Sequence, residues 1–258
     1  MFQMKKYLFV TACMAFVGLM SCSAKQGVDS KAETDNKYIA GAYADFRSIT
    51  NEEMKMFESA YAHKAKLTPQ SVATQVVAGT NYKFICTDDS DNVIKVIVFK
   101  PLPNQGKPKV SSIEPVTKYD NIVSSIRKGF DDEWQTKSPE ELGVSYIYQY
   151  RSPSMGYAKT DINEDGVMEL LLGDSMDGIY DIFTYNAEEG KVKHIFCGGE
   201  RDKIRFSGSW VIIREGSNSA SDSFTKYYRL ISNELTEQKG NSIEEDYREI
   251  TLESFKNQ

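Results

Sequence analysis

The chain has few of the residues on which most compact catalytic and metal sites depend. It has 258 residues, of which only two are histidines, His63 and His194, and four are cysteines. Two of the cysteines fall in the N-terminal segment, which leaves Cys86 and Cys197 for the rest of the chain. That number is too small for a disulfide-built scaffold. No group of cysteines and histidines has the spacing of a zinc site, so we expect none.

A thiol enzyme is equally poorly supported. A catalytic cysteine needs a histidine at its side. His194 and Cys197 are near neighbours, but the segment from Lys191 to Phe196 predicts a strand, and strand side chains alternate between faces. An odd spacing of three residues then places the two side chains on opposite faces. We predict that the protein is not an enzyme.

Basic stripes and membrane-spanning runs are also lacking. The net charge is −6, and the lysines and arginines are scattered rather than gathered on one segment. A protein of this kind is a poor match for a phosphate backbone, so we expect no nucleic-acid partner. The one long apolar run, residues 7–20, is too short to span a bilayer comfortably.

That apolar run has the form of an export signal. Lys5 and Lys6 precede it, and Leu19-Met20-Ser21-Cys22 ends it. These last four residues resemble the bacterial lipobox. The resemblance implies that residues 1–21 are removed, that Cys22 carries lipid, and that the protein is exported and held at the cell envelope, on its periplasmic face or its surface. Residues 22–37 lack any apolar period and predict a flexible tether.

The segment from residue 38 to residue 115 predicts one helix followed by an antiparallel meander. Thr50 and Glu53 form a capping box at the start of an amphipathic stretch, and Pro69 ends it. Strand-like stretches with turn formers between them follow; they cover residues 72–77, 81–87, 93–99 and 109–113. This is an α+β arrangement.

The string Gln75-Val76-Val77-Ala78-Gly79 lies between the first two strands, and it is followed by Thr80-Asn81-Tyr82. It resembles the first inhibitory loop of cystatins and stefins, in which glutamine, valine and glycine alternate with free positions. Lys100-Pro101-Leu102-Pro103-Asn104 looks like the start of the second inhibitory hairpin of stefins. The resemblance covers less than half of the chain. It implies a cystatin-like helix packed on an antiparallel sheet.

The resemblance also implies how such a domain acts. The family blocks the cleft of papain-type cysteine proteases reversibly, with a rigid wedge rather than with chemistry. A third contact comes from an N-terminal glycine, for which Gly41 is the candidate here. The residues implied to bind the protease are Gly41, Gln75, Val76, Val77, Ala78, Gly79, Leu102, Pro103 and Asn104. The wedge is apolar and stiff, which lowers the entropy cost of binding.

Residues 116–258 predict a second, β-rich α+β domain, which begins with a helix that carries Tyr119, Phe130 and Trp134 on one stripe. Its last residues, 250–258, predict a short helix or a tail. The loop DINEDGVME resembles the DxNxDG loops of bacterial extracellular modules. Oxygen ligands at this spacing suit Ca²⁺; they would come from Asp161, Asn163, Asp165, Val167 and Glu169. A plain Asp-Gly hairpin turn is the alternative for this loop, and an EF-hand is excluded because Leu172 occupies its twelfth position.

Two functions follow from these motifs. The first is a tight-binding inhibitor of papain-like proteases on a bacterial lipoprotein. The alternative is a non-inhibitory, calcium-stabilised binding or adhesion module at the cell envelope, because cystatin-like scaffolds also serve other purposes.

Overall fold

A computed structural model describes residues 41–219, 221–239 and 246–256 of the chain. The predicted signal peptide, Cys22 and the tether lie outside the described residues. The first helix, α1 (Asn51–Ala60), begins at the predicted cap. The Thr50 side chain accepts the N–H of Glu53, and a carboxylate oxygen of Glu53 accepts the N–H of Thr50, at 3.3 and 3.0 Å. Phe57 is the buried residue of its apolar face.

A four-stranded antiparallel sheet follows the helix. Its strands are β1 (Thr68–Val77), β2 (Gly79–Thr87), β3 (Val93–Lys100) and β4 (Lys109–Glu114), in that spatial order. Buried and less buried residues alternate along β3, where Ile94, Val96 and Val98 are fully buried. This period of two places one face of the sheet against the core. All four strands were predicted, each between one and four residues shorter than observed.

The segment before α1 runs antiparallel to β1. Ala44 donates its N–H to Thr74, and Arg47 exchanges two backbone hydrogen bonds with Val72. The guanidinium of Arg47 also donates two hydrogen bonds to the carboxylate of Glu53, at 2.6 and 2.9 Å. The start of the folded chain is therefore tied both to the sheet edge and to the helix.

The described part of the chain after β4 has a helix, α2 (Val116–Asp131), two short 3-10 helices (Glu140–Leu142 and Tyr146–Tyr150) and a larger sheet of ten strands. The strands are β5 (Met155–Thr160), β6 (Glu169–Asp174), β7 (Gly178–Asn186), β8 (Lys191–Cys197), β9 (Lys203–Ser207), β10 (Ile212–Ser219), β11 (Asp222–Ile231), β12 (Glu234–Glu237), β13 (Tyr247–Arg248) and β14 (Glu253–Ser254). The sheet order is β12-β11-β10-β9-β7-β6-β5-β14, with β8 paired to β7 and β13 paired to β9. The α+β fold class is therefore confirmed.

The two sheets share buried residues. Tyr185 and Ala187 from the β7 region lie in the same apolar cluster as Phe57 and Phe84, and residues 39–258 cluster as one compact unit. Ile113 of β4 also exchanges backbone hydrogen bonds with Gly166 and Met168. The predicted boundary at residue 115 therefore lies between two sheets that share buried residues. The division of the chain into two domains at this residue stays a prediction.

Three local expectations differ from the structure. The first helix ends at Ala60, seven residues before Leu67, and the chain then crosses to β1 without helical geometry. Trp134 lies beyond the end of α2 in a left-handed conformation, with φ 61°, and it packs its ring against Phe130. The C-terminal segment, for which a helix or tail was expected, pairs through Glu253 with Tyr157 of β5.

None of the helices in the described ranges is long and apolar enough to cross a membrane.

Candidate functional site

Two bends lie next to each other at one end of the four-stranded sheet. The first joins β1 to β2 at Ala78, where Val77 pairs with Gly79. The second begins directly after Lys100, and Thr80 pairs with Lys100. Because adjacent strands are about 4.8 Å apart, this register places both bends side by side at the same end of the sheet.

Gly79 is the residue that lets the two bends meet. Its φ is 135°, a conformation that side chains rarely adopt. A Cβ at this position would lie 2.6 Å from the carbonyl oxygen of Lys100 and 2.8 Å from the ring of Phe99. The close backbone approach therefore requires glycine for two separate reasons, conformational and steric.

The second bend is a stiff and exposed loop, residues 101–108. The N–H of Gln105 donates to the carbonyl of Leu102 at 3.1 Å, which closes a turn around Pro103 and Asn104. Asn104 has a φ of 68°, a left-handed conformation that asparagine tolerates better than most residues. The prolines of the loop restrict the chain before any partner binds.

The predicted N-terminal contact, Gly41, reaches the same end of the sheet. The side-chain amide of Gln75 donates to the carbonyl oxygen of Gly41 at 2.5 Å, and its oxygen accepts from the Asn81 side chain at 2.9 Å. Gln75 thus bridges three segments: the N-terminal stretch, β1 and β2. The side-chain amide of Gln75 therefore holds the N-terminal stretch next to the first bend.

A cation over an aromatic ring holds the N-terminal stretch nearby. The ammonium of Lys83 lies 3.5 Å from the centre of the Tyr43 ring, close enough for a favourable interaction. Burial lowers the pKa of Lys83 and raises the pKa of Tyr43. Gly41 therefore precedes a segment with a fixed path along the sheet.

The tip of this arrangement is apolar and faces solvent. Val76 is 77% exposed, Val77 44% and Leu102 46%. We call these three residues, with Ala78 and Pro103, the apolar tip. One contact with α2 lies at the opposite end of β2, where the Lys118 ammonium donates to Asp88 in the turn after that strand. Exposed apolar residues grouped on one rigid edge mark an interaction site.

The predicted calcium loop is a compact turn between β5 and β6. Asp161 accepts the N–H of Gly166 at 2.8 Å, and Asp165 accepts the N–H of Val167 at 2.7 Å. The Asn163 side chain donates to Asp165 at 2.8 Å. The oxygen-rich side chains of this loop lie on one short segment, as the spacing predicts, and ligation by them stays a prediction.

Glu169 follows the loop as the first residue of β6 and is fully buried. Its carboxylate accepts from the hydroxyl of Thr184 at 2.8 Å and from the N–H of Ile162 at 3.0 Å. Burial raises its pKa to about 8 despite these donors, and the charges of Asp165 and Asp161 add to the rise. Most of the group is therefore protonated at neutral pH, and a nearby cation would favour its charged form.

A third group of potential ligand side chains was not predicted from the sequence. The ligand atoms of Asp181, His194 and Cys197 all lie within 4.8 Å of one another. Among the described histidines, cysteines and acidic residues, this is the one group of three with that property. The prediction that His194 and Cys197 occupy opposite faces is wrong, because a bulge at Ile195 interrupts β8 and shifts the register. A strand ending at Gly198-Gly199 was the available signal for an irregular edge.

One solved structure is similar to part of the chain. No protein-family model matches the chain, and no curated protein matches it. Among solved structures, a secreted type 1 cystatin from Fasciola hepatica is similar at 32% identity, over 28% of this chain and 92% of that one, with a TM-score of 0.25.

Proposed function

We propose that the apolar tip blocks the substrate cleft of papain-type cysteine proteases, reversibly and without chemistry. One observation carries the proposal: the two bends and Gly41 come together at one end of one sheet, open to solvent. Gln75 bonds directly to Gly41, and Gly79 lets the first bend contact Lys100 of the second strand pair. A groove-shaped cleft requires a narrow, rigid ridge of this kind.

The physical case for binding is pre-organisation. Valine, alanine and proline at the tip lose little side-chain entropy on binding, and the loop at 101–108 already has a closed turn. Binding then mainly removes apolar surface from water, at about 25 cal/mol per Å². Small contacts on one frame act together as the centre of an interface.

The adhesion alternative draws on the DxNxDG loop rather than the apolar tip. Asp161 and Asp165 lie between β5 and β6, next to Ile113 of β4. A cation there would stabilise the junction of the two sheets. We favour inhibition because the tip combines exposure, rigidity and apolar character.

The test is a titration of papain with the full chain, following hydrolysis of a chromogenic peptide. We expect activity to fall in proportion to added protein until the two are equimolar. Val77→Asp should weaken inhibition by at least about 100-fold, the scale of an interface hot spot. A papain rate that does not change at micromolar protein would reject the proposal.

A matched control separates the tip from exposed apolar residues in general. Met176, in the turn between β6 and β7, is 82% exposed, close to the 77% of Val76. Met176→Asp should inhibit papain as the wild type does, whereas Val76→Asp should not. Equal inhibition by both variants would contradict a role for the tip.

We also propose that Cys22 carries a lipid that anchors the exported protein at the bacterial cell envelope, with the inhibitory sheet held off the membrane by the tether. The proposal rests on the lipobox-like residues that end the apolar run. Cys22→Ser should move the protein from the membrane fraction to the soluble fraction. A wild-type protein without acyl groups by mass spectrometry would contradict it.

A further inference from the structure

The β7–β8 hairpin brings together three side chains of different chemistry. Asp181 pairs with Cys197, and Phe183 pairs with His194, so that Ile195 is the extra residue of a bulge. A regular strand would direct positions 194 and 197 to opposite faces. The bulge restores both side chains to the face on which Asp181 lies, at the end of β8.

The geometry of this cluster suits a tetrahedral metal ion. The Nε2 atom of His194 lies 2.8 Å from Oδ1 of Asp181, and the Cys197 sulfur lies within 4.8 Å of both ligand atoms. Around Zn²⁺, metal–ligand bonds of about 2.1 to 2.3 Å place neighbouring ligand atoms roughly 3.5 Å apart. Small side-chain rotations therefore bring all three onto one ion.

We propose that Asp181, His194 and Cys197 bind a divalent transition-metal ion, with Zn²⁺ the best match. Imidazole nitrogen and thiolate sulfur favour zinc over calcium or magnesium, which take oxygen ligands. Three protein ligands leave the fourth tetrahedral position for water or for a group from a partner.

Surrounding contacts hold the ligands in place. Asp181 has no exposed surface, and both its oxygens accept from the backbone N–H of Ser145, at 3.2 and 3.1 Å. The ring of His194 stacks on the ring of Phe183, with ring centres 4.1 Å apart and an interplanar angle of 11°. Contacts of this kind orient metal ligands and raise affinity.

The burial of Asp181 is an independent reason to expect a cation. Buried carboxylates are normally paired or coordinate a metal. Within the described part of the chain, His194 is the one basic side chain at ion-pair distance from Asp181. The site therefore holds a buried carboxylate with no lysine or arginine at ion-pair distance among the described residues.

Binding of a metal ion releases a proton from the cluster. The sulfur of Cys197 binds a metal ion as thiolate, so coordination releases the thiol proton to solvent. A metal-bound histidine uses the neutral imidazole.

The test is a titration of the full chain with Co²⁺, a spectroscopic substitute for Zn²⁺. We expect one ion per chain, a thiolate-to-cobalt band in the near ultraviolet, and loss of that band when Zn²⁺ is added. Cys197→Ser should abolish the band, whereas Cys86→Ser should keep it.

The two histidines of the chain form a matched pair. His63 bonds to Glu188 outside the cluster, so His63→Ala should bind as the wild type does. His194→Ala should weaken binding by at least about 100-fold, since even loss of an outer contact costs about 10- to 100-fold.

Thermal unfolding provides a second measurement for variants that fold poorly. Zn²⁺ should raise the melting temperature of the wild type and of His63→Ala, and leave that of His194→Ala unchanged. Equal Co²⁺ binding by both histidine variants would overturn the proposal. So would a cobalt band that Ca²⁺ displaces or that Asp161→Ala removes, because the ion would then occupy the DxNxDG loop. None of these outcomes depends on papain inhibition.

Discussion

The two sheets place unusual residues in opposite environments. The four-stranded sheet leaves Val76 and Leu102 in solvent at one end, although apolar side chains are normally covered. The ten-stranded sheet buries carboxyl groups, since Glu169 and Asp181 are both fully inaccessible. An exposed apolar edge calls for a partner surface, whereas a buried carboxylate calls for hydrogen-bond donors or a cation. The two sheets therefore point to two different kinds of ligand.

The largest expected effect tests whether the two sheets are thermodynamically distinct. Tyr185 of the larger sheet is fully buried in the cluster that contains Phe84 of the smaller one. Tyr185→Ala should lower the free energy of unfolding by about 3 to 5 kcal/mol through the cavity it leaves. Urea unfolding, followed by fluorescence and circular dichroism, should show one common transition.

The matched control for that change keeps the ring. The hydroxyl of Tyr185 is buried with no hydrogen-bond partner among the described residues, so Tyr185→Phe should alter stability by less than about 1 kcal/mol. Two separate transitions in the wild type would contradict the shared core and favour independent domains.

The next effect separates backbone conformation from steric contact within the apolar end. Gly79 and Gly106 have almost the same φ, 135° and 134°, but an added Cβ meets Lys100 at 2.6 Å in one case and Pro101 at 3.7 Å in the other. Gly79→Ala should lower the free energy of unfolding by about 3 kcal/mol and weaken papain inhibition. Gly106→Ala should lower the free energy of unfolding by about 1 kcal/mol. Equal losses in chemical denaturation would show that only φ matters.

A smaller effect concerns the acidic loop of the larger sheet. If Asp161 and Asp165 ligate Ca²⁺, saturation to about 100 times the dissociation constant should stabilise the protein by about 2.7 kcal/mol. Calorimetric melting with and without calcium measures this, and Asp161→Ala with Asp165→Ala should remove it. A plain Asp-Gly turn would melt at the same temperature in both conditions.

The smallest effect lies at the helix cap that ties the N-terminal stretch to the first sheet. The guanidinium of Arg47, and next the Thr50 backbone, outweigh partial burial and lower the pKa of Glu53 to about 2, from 4.5. A lowered folded-state pKa contributes stability above about pH 4.5 that is lost as the pH falls towards 2. Glu53→Gln should cost about 1 kcal/mol at pH 7 and flatten this acid limb.

The control is Glu52→Gln, one residue earlier on the same helix. Glu52 is exposed, and its carboxylate makes no hydrogen bond within the described ranges. Its replacement should leave acid unfolding, followed by circular dichroism, close to that of the wild type. An identical pH profile for Glu53→Gln would show that the ion pair does not contribute in solution.

Much of the first sheet could be predicted because its signals are local. The Thr50–Glu53 box defines the start of α1, and β3 follows its alternating pattern residue by residue. Turn-forming residues mark both bends. The end of α1 was predicted too late, because its last turn at Tyr61 stops without a proline or glycine and its C-terminal boundary depends on packing.

By itself, the sequence determined the α+β class, the capped helix, the strands of the first sheet and the residues of the two bends, since each depends on neighbours a few positions apart. Only the tertiary structure decided that Gln75 reaches Gly41, that Tyr185 lies in the first sheet's core, and that a bulge at Ile195 turns His194 and Cys197 towards Asp181. The physical reason is the same in each case. Contacts between distant segments follow from strand register and packing, and a single extra residue in a strand reverses the face of every side chain after it.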